Sequence, residues 1–240
     1  MKISTTNTVG EIVSNNYRTA HVFESHRIDF CCNGNRILSD VAQERDLDIH
    51  NLISELELSA STVVEPEHDY ASWPLDILAD YIVQVHHSYV ENSITTLKPY
   101  LDKICHVHGA HHPELHSIKD IFEQSAGELA GHQKKEEIIV FPFIKRLVHA
   151  AQNNESISLA RSVANPISML TDEHDAQGDA FRQISELCNN YTPPSDACNT
   201  YIVTLNMLKE FEADLHKHIH LENNILFPKA IELEKQVARV

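Results

Sequence analysis

Two stretches of this 240-residue chain carry the same reactive groups at the same spacing. His132-Gln133-Lys134-Lys135-Glu136, followed by Phe141-Pro142, recurs 86 residues later as His218-Ile219-His220-Leu221-Glu222, followed by Phe227-Pro228. In each copy an imidazole and a carboxylate stand at i and i+4, one above the other on one helix face. Steps of three and four extend that face into an apolar stripe. It runs Leu129, His132, Glu136, Ile139, Phe143 in the first copy and Leu208, Phe211, Leu215, His218, Glu222, Ile225 in the second. Both pairs therefore point inward, where a charged carboxylate is costly unless it is paired or holds a metal. The same stepping brings in His86 behind Leu75, Leu78 and Ile82, and His174 behind Ile167 and Leu170. His86 precedes His132 by 46 residues and His174 precedes His218 by 44, so the single histidine belongs to the repeat. A lone histidine on an apolar stripe is ordinarily a core residue; six donors in register are a dinuclear metal site. Each metal keeps two imidazoles and the two carboxylates bridge. Nitrogen and oxygen donors without thiolate suit iron or manganese, and zinc as well.

Four long helices are needed to hold these groups. The first runs from about Pro74 to His106, and the second carries Ile118, Ile121, Phe122 and Leu129 up to the first His/Glu pair. The third opens at Asn165-Pro166, and the fourth follows the stop at Thr192-Pro193-Pro194. Short connections between amphipathic helices give an up-down-up-down four-helix bundle, here two related hairpins. The Phe-Pro pairs are expected to end or kink their helices beyond the site.

Before the bundle, the first sixty or so residues break into short capped segments. Thr8 and Glu11 form a capping box, and Asn33-Gly34 marks a turn. The expected division is a small helical N-terminal domain over 1–62, a linker over 63–72 and the bundle over 73–240. A chain starting near Asp69 is expected to fold and load metal by itself.

The composition narrows the class. Thirty-five acidic against nineteen basic residues leave a net charge of −16, which opposes nucleic acid and anionic membrane surfaces. No apolar run approaches a membrane span, and Met1 to Gly10 lacks a signal-peptide core, so a cytoplasmic location is expected. The five cysteines, Cys31, Cys32, Cys105, Cys188 and Cys198, show neither a disulfide framework nor a zinc signature. Cys31-Cys32 is a candidate iron or redox relay, with plain packing the competing reading; the other three read as structural. Glu173 is a candidate outer support or proton relay, although its position reads as exposed. His87 lies about 100° around the helix from His86 and reads as a surface or interface residue. His220 leaves the metal face, and the histidines from His106 to His116 read as a solvated loop.

The order histidine, HxxxE, histidine, HxxxE resembles the haemerythrin-like di-iron four-helix bundle. Ferritin-like bundles use Glu-x-x-His instead. Nearly the whole chain resembles the repair-of-iron-centres family, bacterial di-iron proteins of nitrosative and oxidative stress. The matching features are Asp29-Phe30-Cys31-Cys32-Asn33-Gly34, the HxxxEE…FP segment, Glu173-His174-Asp175, and His-x-x-x-Glu-Asn-Asn-x-Leu-Phe-Pro from His218. The resemblance implies an all-α, haemerythrin-like fold holding two iron ions through His86, His132, Glu136, His174, His218 and Glu222. It further implies bridging by Glu136 and Glu222 with an oxo or hydroxo bridge. It also implies repair of damaged iron–sulfur cluster proteins by iron supply, a homodimer, and nitric oxide or oxygen as small molecules at the iron. An oxygen- or nitric-oxide-binding haemerythrin and a di-iron nitric oxide reductase are the alternatives, so classical enzyme activity is left open. Oxygen-carrying haemerythrins have a second histidine one turn after the third-helix histidine. Gly178 stands there in this chain, which leaves more open coordination and a weaker hold on iron.

Overall fold

A computed structural model describes residues 3–61, 69–156 and 162–237. Four short helices come first: α1 (Val9–Asn15), α2 (Ala20–Ser25), α3 (Leu38–Glu44) and α4 (Ile49–Ser61). The capping box forms as expected. The Thr8 hydroxyl accepts from the Glu11 amide at 3.2 Å, and the Glu11 carboxylate accepts from the Thr8 amide at 3.0 Å. Of the expected linker, residues 63–68 lie outside the described residues, and Tyr70–Ser72 forms a 3₁₀ turn.

Four long helices follow: α5 (75–108), α6 (114–152), α7 (Ala164–Leu187) and α8 (199–237). Three contain a π-helical turn, at Ile82–His87 in α5, Glu136–Val140 in α6 and Glu222–Leu226 in α8. A π turn spends one extra residue, so the buried face resumes at i+5. Beyond Glu136 the buried face takes in Val140, Phe141 and Ile144, while the expected Ile139 is 56% exposed. The expectation that Phe-Pro ends its helix also fails, because α6 and α8 run on to Gln152 and Val237. Pro142 and Pro228 fall in the first turn after the π segment, where a missing N–H removes little.

Two apolar clusters fill the bundle. One gathers Leu97, Leu101, Phe122, Leu129, Phe181, Phe211 and Leu215; the other gathers Leu78, Ile82, Val140, Ile144, Leu170, Leu221 and Phe227. Along each helix the histidines and glutamates of the repeat fall between the two, as a polar layer within an apolar interior. The first cluster also contains Val9, Phe23, Phe30, Leu38 and Leu52. Residues 3–61 thus share a core with the bundle, and a chain starting near Asp69 would uncover half of it. Docking is close at Asn224, which donates from Nδ2 to the carbonyls of Phe30 (3.3 Å) and Cys31 (3.1 Å). A Cβ on Gly10 or Gly34 would stand 2.4 or 2.5 Å from Asn224 Oδ1, so only glycine admits this approach.

Candidate metal centre

The polar layer brings together His87, His132, Glu136, His174, His218 and Glu222, all 2% exposed or less. They form two groups, His87, Glu136, His218, Glu222 and His132, Glu136, His174, Glu222; the donor atoms of each lie within 4.8 Å of one another. Both glutamates belong to both groups. Glu136 turns Oε2 to His87 Nε2 (3.3 Å) and Oε1 to His132 Nε2 (3.3 Å). Glu222 turns Oε1 to His218 Nε2 (3.2 Å) and Oε2 to His174 Nε2 (3.2 Å). Each carboxylate therefore spans the two groups with one oxygen apiece.

Five of the six expected donors are here. The sixth, His86, is not: its neighbour His87 takes the place. The π turn at Ile82–His87 carries the inward face from Ile82 to i+5, whereas uniform α stepping ends on His86. His86 is buried too, with Nδ1 2.9 Å from Asp214 Oδ1 and its ring stacked on His218. A sequence signal for the extra residue exists in the Phe-Pro pairs, since phenylalanine follows each glutamate at i+5. Those rings complete the symmetry: Phe141 stacks on His87 and Phe227 on His174, at centroid distances of 5.9 and 6.1 Å.

Outer groups fix three of the rings. His132 Nδ1 donates to Glu173 (2.9 Å), His87 Nδ1 to Glu137 (2.7 Å) and His174 Nδ1 to Asn223 Oδ1 (2.9 Å). An Nδ1–H held this way leaves the Nε2 lone pair facing inward, as metal-bound histidines are held. Glu173, expected to be exposed, is half-buried and also accepts from Lys135. His220 does leave the metal face, as expected, but is buried against Phe30 and Tyr17 at the docking surface.

The charges in this layer are strongly coupled. Burial works to strip the proton from His132, but Glu136 and then Glu222 override it and lift its pKa to about 9. His87 is raised in the same way, burial being opposed chiefly by Glu136. His218 is lowered, with burial prevailing over Glu222. Burial pushes Glu222 up, yet His218 and His174 beside it hold its carboxyl well below the usual range. None of the four carboxylate oxygens of Glu136 and Glu222 has a hydrogen-bond partner, and both side chains are fully buried. Two such anions are not stable without positive charge between them. The oxygen and nitrogen donors fit a pair of borderline metal ions.

Cys31 and Cys32 lie on the far side of His174. Cys32 Sγ is 3.5 Å from the His174 carbonyl, and a Cβ on Gly178 would stand 3.3 Å from the same sulfur. The position where haemerythrins carry another histidine is thus closed by the N-terminal segment. Cys105 and Cys188 are buried, while Cys198, expected to be structural, is exposed just ahead of α8.

An antiparallel bundle with this His/Glu layer is a haemerythrin-type cation-binding domain, and the haemerythrin HHE cation binding domain family matches residues 78–230. Residues 5–60 match ScdA_N, a domain of unknown function (DUF542). The chain is 30% identical over 227 residues to the iron-sulfur cluster repair protein ScdA of Staphylococcus haemolyticus (strain JCSC1435), spanning 92% of this chain and 96% of that one. It is 34% identical over 218 residues to the iron-sulfur cluster repair protein YtfE of Yersinia pestis (strain Pestoides F), covering 90% and 93%. Against YtfE of Musicola paradisiaca (strain Ech703) the identity is 34% over 229 residues, covering 94% and 96%. The chain belongs to the family of ScdA- and YtfE-type iron–sulfur cluster repair proteins. Among the described residues no helix is long and apolar enough to cross a membrane.

Proposed function

We propose that this protein repairs iron–sulfur clusters damaged by nitrosative and oxidative stress, supplying iron from a di-iron centre. The centre is held by His87, His132, Glu136, His174, His218 and Glu222. The observation that carries the reading is the pair of fully buried glutamates, each offering one oxygen to either group. When bound, such a pair would supply exchangeable, redox-active iron that takes up nitric oxide or oxygen. The protein's own groups do the rest. Glu137, Glu173 and Asn223 aim three imidazoles inward, and Phe141 and Phe227 cover two of the rings against water. Six donors shared by two ions leave each ion short of a full set, which favours release over permanent storage. Cytoplasmic cluster proteins are the proposed clients, and the working unit is proposed to be a homodimer.

The test is recovery of a nitric-oxide-damaged iron–sulfur enzyme on adding the iron-loaded protein. Activity and cluster absorbance should return, and a Glu136→Gln/Glu222→Gln variant should restore neither. Reversible oxygen binding without recovery would overturn the repair reading in favour of a carrier.

A further inference from the structure

The vicinal cysteines occupy a built pocket that the six-donor centre does not use. Asp29 anchors it: its Oδ1 accepts from the amides of Cys31 (3.1 Å), Cys32 (2.9 Å) and Asn33 (3.4 Å). Its Oδ2 accepts from Asn33 Nδ2 at 2.8 Å and faces Arg182 at 3.5 Å. The turn thus locks both cysteine backbones and keeps the carboxylate charged. The two thiols stand 3.7 Å apart, and Cys31 Sγ is 3.3 Å from Asp29 Oδ1. Tetrahedral metal–sulfur bonds of about 2.3 Å hold two sulfurs about 3.8 Å apart. The pair therefore has the bite of one thiophilic ion without rearrangement. Neither thiol is in a disulfide, and Cys32 is partly exposed, which gives a way in from solvent.

We propose that Cys31, Cys32 and Asp29 form a second metal site, for one thiophilic cation, lying against the backbone of His174 and outside the di-iron centre. Two thiolates and a carboxylate select a soft or borderline ion over calcium or magnesium.

The site has a direct connection to the centre. His174 offers its carbonyl to Cys32 Sγ and its imidazole to the Glu222 group. Asn223 supports both sides, accepting from His174 Nδ1 and donating to the Cys31 carbonyl at 3.4 Å. An ion held by the thiols is therefore one residue from the layer, and ferrous iron leaving or entering passes through it. That transit role rests on the iron-supplying function proposed above; the site itself does not.

Cadmium is the probe, added to iron-loaded full-length protein and followed by its ultraviolet thiolate charge-transfer band and by metal analysis. One cadmium per chain should bind with iron retained. The band should vanish in Cys31→Ser/Cys32→Ser and persist in Cys198→Ser. No band, a band that survives the double substitution, or cadmium entering only as iron leaves would each overturn the site. Should the double variant fold poorly, Cys32→Ser alone serves, because Cys32 is the more exposed of the two. For transit, iron loss to a ferrous chelator should slow at least fivefold when cadmium fills the thiols; an unchanged rate overturns it. Absent client recovery alongside an intact cadmium site would count against the repair function alone.

Discussion

The Nε2 atoms of His132 and His174 face each other at 2.9 Å. Each ring spends its Nδ1–H outward, on Glu173 and Asn223 respectively, so two neutral rings would oppose lone pair to lone pair. The arrangement is stable only with a proton or a metal ion between them. Stripping the metal with a chelator at pH 7.5 should therefore destabilise the fold. An ion present at about 100 times its dissociation constant contributes about 2.7 kcal/mol. For a chain of this length that is about 5–10 °C of melting temperature per ion. Differential scanning calorimetry before and after chelation, with reloading, measures it; an unchanged melting point would mean the layer is satisfied by protons alone.

His86 and His87 make opposite predictions although they are adjacent. His87→Gln removes a donor from the His218 group and should leave about one iron per chain. His86→Gln should keep two irons while losing stability, because Asp214 is left without its ring partner; about 1–3 kcal/mol is expected. Metal analysis on both variants decides it. One iron in His86→Gln and two in His87→Gln would show that α5 runs as a plain α-helix in solution.

Those two residues also mark how far the sequence could be read. The bundle, both HxxxE pairs and His174 follow from apolar stepping, because α7 is a regular helix and α6 and α8 are regular up to their glutamates. Counting in threes and fours fails where the backbone inserts a residue, as it does before His87 and after Glu136, although after Glu222 the stripe still meets the buried Ile225. A π turn has no strong residue preference of its own, so only its consequence shows: apolar or donor residues at i+5, as in Glu136 to Phe141 and Ile82 to His87. Docking of residues 3–61 is hidden for another reason. Gly34 reads as a turn glycine and Gly10 falls in the first turn of α1, and nothing in their neighbourhood announces Asn224, which lies some two hundred residues away in the chain.

Those glycines give a paired prediction. Gly10→Ala would drive a Cβ into Asn224 Oδ1 and disturb its bonds to Phe30 and Cys31. The cost should be about 1–3 kcal/mol, with faster alkylation of Cys32 as the segment loosens. Gly127→Ala, inside α6, meets nothing within 4 Å and should instead stabilise by up to about 1 kcal/mol through helix propensity. Denaturant unfolding of both variants reads the two signs, and equal effects would refute the docking geometry.

A last prediction concerns Glu212 on α8, remote from the metal layer. Burial pushes its pKa up to about 7, and the charge of Glu24 on α2 adds to the shift, while Tyr191 works against it. An unfolded glutamate loses its proton near 4.5, so between that value and 7 the folded chain binds more protons than the unfolded one. Stability from this group is therefore fully present below about pH 4.5 and is lost as pH rises through 7. The full shift corresponds to roughly 3 kcal/mol. Because the side chain keeps some contact with water, about 1–2 kcal/mol is the expected effect. Glu212→Gln should match the parent at pH 5 and exceed it by that margin at pH 8, measured by urea unfolding with metal content held equal. A variant that gains nothing at pH 8 would mean that Glu212 is ionised without penalty, and that α2 does not press a second carboxylate against it.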